Sequence, residues 1–268
     1  GDSILIQRWK KRRYRTWITG IGLHSPEMYG NTWLTEQRKT EPGGREKNMS
    51  GQSCTVTGIV LSAMPVGEYD KLVVLLTKEY GKIRAFARGA RRLNNPLMAA
   101  VNPFVFGQFQ LYEGRTSYTI SQASVQNYFS ELLTDFEGSC YGQYFLEFAD
   151  YYTRENADCM DYMKLVYQSL RALLIPAIPR KLVRYIYELK AMVYSGECPQ
   201  DWEQFESWNA DTSTRYAFQF VIASPVEKLY TFTLSEEVCE EFGRIVTYLR
   251  RHYVEHPFKS LEILETCL

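Results

Sequence analysis

Apolar and polar positions alternate with a period of two from Thr55 to Val125, and a period near 3.6 replaces it afterwards. Thr55 to Ser62 is β-rich, with Gly58 inside it at a point where a small barrel must bulge or bend. Pro65 to Asp70 is a polar turn. Leu72, Val73, Val74, Leu75 and Leu76 make a continuous apolar run of strand length, which predicts burial on both faces. Glu79-Tyr80-Gly81 predicts a hairpin turn, with Gly81 supplying backbone freedom. Asn94-Asn95-Pro96 opens one helical turn through Leu97 to Val101. Val105, Gly107, Phe109 and Leu111 then alternate with Phe106, Gln108, Gln110 and Tyr112. Glu113-Gly114-Arg115 turns the chain, and Tyr118 to Val125 completes the set. Five strands with a short helix between the third and fourth is the order of an OB barrel; a small SH3-like barrel is its main rival.

After Val125 the pattern is helical. Tyr128, Leu132 and Leu133 begin it, and Tyr141, Tyr144, Phe145, Phe148, Tyr151 and Tyr152 share one helix face. Met160, Met163, Val166, Leu170 and Leu173-Leu174 predict a second helix ending near Pro176. Leu182, Tyr185, Leu189 and Met192 predict a third, stopped by Gly196 and Pro199. Such stripes of large apolar side chains read as core. Thr233 with Glu236 fits a capping box before a helix through Phe242, Ile245, Leu249 and Tyr253, and Lys259 to Leu264 predicts a short final helix. The fold class is therefore α+β: an N-terminal five-stranded OB barrel over 49–127, then a mainly helical domain over 128–268.

The strand after Gly81 carries the candidate chemistry. Ile83, Ala85 and Ala87 point to one side, small and apolar as a narrow barrel interior requires. Lys82, Arg84, Phe86 and Arg88 point to the other, Arg91 and Arg92 follow in the loop, and Arg115 of the later turn is a further candidate cation. Cations around an aromatic ring suit a groove that neutralises phosphates and stacks a base. The competing reading is a solvated strand face whose Phe86 packs on a neighbouring helix.

Charge sharpens this picture. The formal net charge is zero, but residues 49–130 hold eight Lys and Arg against four Asp and Glu, while residues 131–268 hold 13 against 22. A basic module joined to an acidic one is the implied plan. Six cysteines without paired spacing read as reduced thiols, and no apolar run reaches the roughly 18 residues a membrane span needs. There is no H-E-x-x-H, P-loop or nucleophile elbow, so no enzyme and no cofactor is expected; a metal-dependent nuclease is the enzyme reading weighed and set aside. His252 and His256 are spaced four apart, a metal-ligand spacing, but Pro257 and the absence of a third ligand favour a structural role. Residues 1–48 carry a basic run from Lys10 to Arg15 and the linker-like Pro42-Gly43-Gly44. They are read as an irregular extension, or as a stretch preceding the native start at Met49.

An ordered series of residues resembles a known family. Gly67-Glu68, Asp70-Lys71, Leu75-Leu76-Thr77, Gly81-Lys82, Ala87-Arg88-Gly89-Ala90-Arg91-Arg92 and Pro103-Phe104 are similar to the N-terminal domain of the RecO family of bacterial recombination mediators. The resemblance covers roughly residues 52 to 195. It implies an OB-fold domain followed by a helical domain, acting in the bacterial cytoplasm at the nucleoid. It also implies a non-catalytic mediator that binds single- and double-stranded DNA, anneals complementary strands and, with RecR, helps load RecA on DNA coated by single-strand-binding protein. An OB-fold interaction scaffold and an RNA binder are the alternatives. For the acidic C-terminal tail of single-strand-binding protein, Arg180, Lys181 and Arg184 are the candidate contacts in the helical domain. Many family members carry two C-x-x-C pairs that bind zinc. Here only Cys198 stands in that region, so no metal is expected, and the insertion near 197–233 is read as a zinc-free hairpin pairing Tyr216–Ile222 with Lys228–Phe232.

Overall fold

The computed structural model describes residues 53–115, 117–198 and 208–267, and the extension read from residues 1–48 lies outside them. β1 (Ser53–Val66), β2 (Asp70–Thr77), β3 (Gly81–Ala87), β4 (Phe106–Glu113) and β5 (Tyr118–Asn127) close into a barrel in the order β1-β2-β3-β5-β4. All pairs are antiparallel except β3 with β5, and β1 closes the barrel by pairing with both β2 and β4. A single helical turn, α1 (Leu97–Ala100), lies between β3 and β4. This is the OB arrangement.

Alternation builds the interior. Val56, Val60, Val73, Leu75, Ile83, Ala85, Ala87, Phe109, Leu111 and Ile120 are buried together, and the two alanines of β3 keep the lumen narrow enough to fill. The irregularity expected at Gly58 falls elsewhere. The extra residue of β1 is Leu61, between the pairs Val60–Leu75 and Ser62–Val74. Gly58 serves a close approach instead, since a Cβ there would stand 2.6 Å from the carbonyl oxygen of Leu76.

Seven helices follow among the described residues: α2 (Ser130–Thr134), α3 (Phe136–Tyr152), α4 (Met160–Ala172), α5 (Arg180–Tyr194), α6 (Thr212–Ala223), α7 (Glu236–Tyr253) and α8 (Lys259–Cys267). The aromatic stripe of α3 is core: Phe145 stacks on Tyr187 at 4.3 Å and Phe148 on Phe258 at 4.8 Å between ring centroids. Residues 50–268 form one compact unit, and the barrel seats on the bundle through Phe106 and Phe129, whose rings pack on Tyr167 at 4.6 and 5.4 Å. No helix among the described residues is long and apolar enough to cross a membrane.

Two further expectations are corrected. The stretch Tyr216–Ile222 is helical, within α6, and Lys228 ends a 3-10 turn, so no hairpin forms there. Its aromatic and branched residues fit either period over so short a run, and burial follows the helical one: Thr214, Ala217, Phe218 and Val221 face inward. Asp211 caps the N-terminus through the amide of Ser213. At the C-terminus the Lys190 ammonium donates to the carbonyls of Val221, Ile222 and Ser224 at 3.2, 2.9 and 2.8 Å, and burial draws its pKa down. The second correction is the cap of α7, which is Ser235 accepting from the Val238 amide rather than Thr233.

Candidate nucleic-acid interface

β3 presents its two faces as strand parity requires. Ile83, Ala85 and Ala87 are buried, Lys82 and Phe86 half-buried, and Arg84 and Arg88 exposed. Register extends the outer face across the sheet. Phe86 pairs with Thr119 of β5, and Thr119 pairs with Tyr112 of β4. A ring, a hydroxyl and a second ring therefore form one outward row across three strands. Tyr112 is 48% exposed. Arg84, one outward position away from Phe86 along β3, makes no hydrogen bond or ion pair among the described residues.

Arg88, Arg91 and Arg92 are positioned by the loops at one end of the barrel. Asp70 organises them: its carboxylate accepts from the Gly89 amide at 2.8 Å and from Arg88 at 2.6 Å. Those two bonds, the amide first, hold its pKa below the usual carboxylate value. Gly89 has φ +65°, a left-handed conformation that turns the chain out of β3. Arg88 lies over the Phe86 ring, 4.8 Å from its centroid, and still exposes most of its side chain. Arg92 lies over Tyr69 at 4.6 Å. Arg91 donates to the carbonyls of Gly67 and Glu68 at 3.2 and 3.1 Å, and its amide to Tyr69. Arg115 is exposed in the turn between β4 and β5, which the parallel register of β3 with β5 puts toward the Gly81 end of β3, away from loop 88–92.

Lys82 departs from the group. Its ammonium pairs with the Asp150 carboxylate at 2.9 Å and donates to the Asp150 carbonyl at 2.5 Å, at the C-terminal end of α3. It clamps the barrel to the bundle. The helical-domain cations are also engaged. Arg180 binds Asp135 and Glu137, and Arg184 binds Glu188 at 2.9 Å and Glu265 at 3.0 Å. Lys181 makes no hydrogen bond or ion pair among the described residues.

Tyr112, Tyr69 and Thr119 are the members of this surface that sequence reading missed. The signal for Tyr112 was present, since it belongs to the outward set of β4; Tyr69 sits in a turn without periodicity. No group of three or more metal-ligating side chains is found among the described residues. Burial pushes the Cys198 thiol up to about 11, and His252 and His256 do not share a helix because α7 ends at Tyr253.

The fold and this face together define an OB-barrel protein with a cationic, aromatic outer surface, fused to a helical bundle. Residues 49–129 match the family described as recombination protein O N terminal, and residues 133–201 the one described as recombination protein O C terminal. The chain belongs to the RecO family. It is 24% identical over 239 residues to a DNA repair protein RecO of Clostridium perfringens, covering 78% of this chain and 96% of that protein. Identity to the DNA repair protein RecO of Alkaliphilus metalliredigens is 35% over 142 residues, 53% of this chain and 58% of the relative. For the DNA repair protein RecO of Clostridium kluyveri it is 25% over 238 residues, covering 78% and 92%.

Proposed function

We propose that the outer face of β3, β5 and β4 binds single- and double-stranded DNA, and that the protein acts without bond chemistry as a recombination mediator in DNA repair. The row Phe86–Thr119–Tyr112, flanked by the guanidinium of Arg84, which is unpaired among the described residues, carries this reading. Two rings with one strand between them offer stacking platforms, and Arg84, Arg88, Arg91, Arg92 and Arg115 supply phosphate contacts around them. Lys82 stays in the clamp and makes no phosphate contact. In keeping with the names of its relatives and the family's implied role, the protein anneals complementary strands in the bacterial cytoplasm. With RecR it helps RecA onto DNA coated by single-strand-binding protein. Of Arg180, Lys181 and Arg184, the candidates for that protein's acidic tail, Lys181 is the one whose charge no ion pair occupies among the described residues. The test is single-strand affinity measured across salt concentrations. Replacing Arg84 and Arg88 by alanine should flatten the logarithmic salt slope by about 1.4, two contacts at about 0.7 each. An unchanged slope would remove this face from DNA binding.

A further inference from the structure

A second surface repeats the chemistry of β3 in another geometry. Arg244, Tyr248 and Arg251 recur at i, i+4 and i+7 of α7 and so share one face of the helix. Arg244 is 76% exposed and Tyr248 54%. With Tyr185 of α5, Gly243 and His252, they line an open groove of about 580 Å³. The rings are positioned rather than loose. Tyr248 packs edge-on to Trp208 at 5.7 Å and lies parallel to His252 within 5°, at 6.0 Å. A Cβ at residue 243 would run into the Tyr185 ring, so only glycine lets that ring rest on the helix backbone.

The charges of the groove are available. The Arg251 side chain makes no hydrogen bond or ion pair among the described residues, and Arg244 has a long, solvated contact with Glu241 at 3.8 Å. Glu240 is the lining's one carboxylate, against two guanidinium groups. The lining has no aliphatic side chain beyond the methyl of Thr247. An acidic peptide anchored by an apolar residue finds no seat here, whereas a base finds exposed rings and its phosphates find two arginines.

We infer that this groove is a second subsite for single-stranded nucleic acid, with Arg244 and Arg251 on phosphates and a base stacked on Tyr248. The inference rests on the reading of the barrel as the first subsite. Two subsites in one compact chain place two strands at high effective concentration, which is what annealing requires.

The test counts oligonucleotides. The full chain is titrated with an oligothymidylate of about six nucleotides, near the lower end of an OB-fold site. The parental protein should saturate at two per chain. Arg244→Ala/Tyr248→Ala/Arg251→Ala should saturate at one, and adding Arg84→Ala/Phe86→Ala should abolish binding. The charge-only pair Arg244→Ala/Arg251→Ala removes exposed side chains alone, so its melting temperature should hold, and it should lower the salt slope for a long strand by about 1.4. Parental saturation at one, or a groove variant still binding two with an unchanged slope, overturns the inference. A barrel variant that still binds two, beside a groove variant that binds one, sinks the barrel reading and keeps the groove. Saturable binding of an acidic decapeptide, lost in the groove variant while the oligonucleotide count stays fixed, would overturn the inference and make this a peptide site.

Discussion

The ammonium of Lys82 sits 2.9 Å from the carboxylate of Asp150 and 2.5 Å from its carbonyl oxygen, joining the barrel to the end of α3. The same hairpin is held by backbone bonds. The Lys82 amide donates to Arg154, and the Asn156 amide donates to Tyr80, at 3.0 and 2.8 Å. A cation on the outer face of β3 thus belongs to the internal joint, while Arg84, two residues on, faces solvent.

Lys82→Ala should therefore lower stability, by on the order of 1 kcal/mol for a partly buried charged hydrogen bond, and leave the salt slope of DNA binding unchanged. Arg84→Ala should do the reverse. Urea unfolding and binding at two salt concentrations separate them. A slope that falls by about 0.7 in the lysine variant would place Lys82 on DNA after all.

The two rings of the outer row make a separate case. Phe86→Ala and Tyr112→Ala should each cost about 1–3 kcal/mol of single-strand affinity if a base stacks there, with little change in salt slope. Tyr112 is the cleaner probe, because its exposed ring contributes little to the core. Loss of thermal stability with full affinity per folded molecule would reassign both rings to packing.

How much of this was legible follows from the range of the forces involved. Parity along β3 is a local property of extended backbone, so the separation of Ala85 from Arg84 and Phe86 could be read directly. The spending of Lys82 could not, since its partner lies 68 residues away. Arg180 and Arg184 looked like one free helical face for the same reason. Asp135, Glu137 and Glu265 come from other helices to meet them. In α6 the ambiguity was intrinsic. Phe218 and Val221 fit either period until Phe242 of α7 packs at 4.6 Å and Lys190 caps the helix end. The groove on α7 was in the sequence too, as Arg244, Tyr248 and Arg251, but the apolar stripe of the same helix drew the eye first.

Asp70 gives a pH prediction. Its carboxylate ties the Gly89 amide and Arg88, and its folded pKa lies below the unfolded value of about 3.9. The stability from these bonds is fully present above that unfolded value and is lost as pH falls through the lower folded pKa. Loop 88–92 should hold its order at pH 5 and loosen only below about pH 4. Amide-exchange protection at Gly89, taken relative to the free-peptide exchange rate at each pH and compared between pH 5 and pH 3, reads this. Asp70→Asn should be nearly flat over that interval, and a parental protein equally flat would show that Asp70 does not hold the loop.

The bundle is pinned by a buried carboxylate. Glu188 is inaccessible to solvent; Tyr144 donates to it at 2.7 Å, Arg184 at 2.9 Å, and the Arg250 guanidinium stands 3.4 Å away. Burial works against the charge on Arg184, but Glu188 and then Glu265 hold its pKa above the usual guanidinium value. One carboxylate thus ties α3, α5 and α7, and Glu265 brings α8 to the same arginines. Removing Glu188 leaves two guanidinium groups facing each other in the interior, with the half-exposed Glu265 as their remaining counter-charge. Glu188→Ala should cost about 3–5 kcal/mol, as removing one partner of a buried ion pair does. Tyr144→Phe removes one donor and leaves the ion pair, so about 1 kcal/mol is expected. Both follow from urea unfolding, with the barrel's DNA affinity per folded molecule as the control. If Glu188→Ala costs no more than Tyr144→Phe, the arginines are compensated elsewhere and this carboxylate does not pin the bundle.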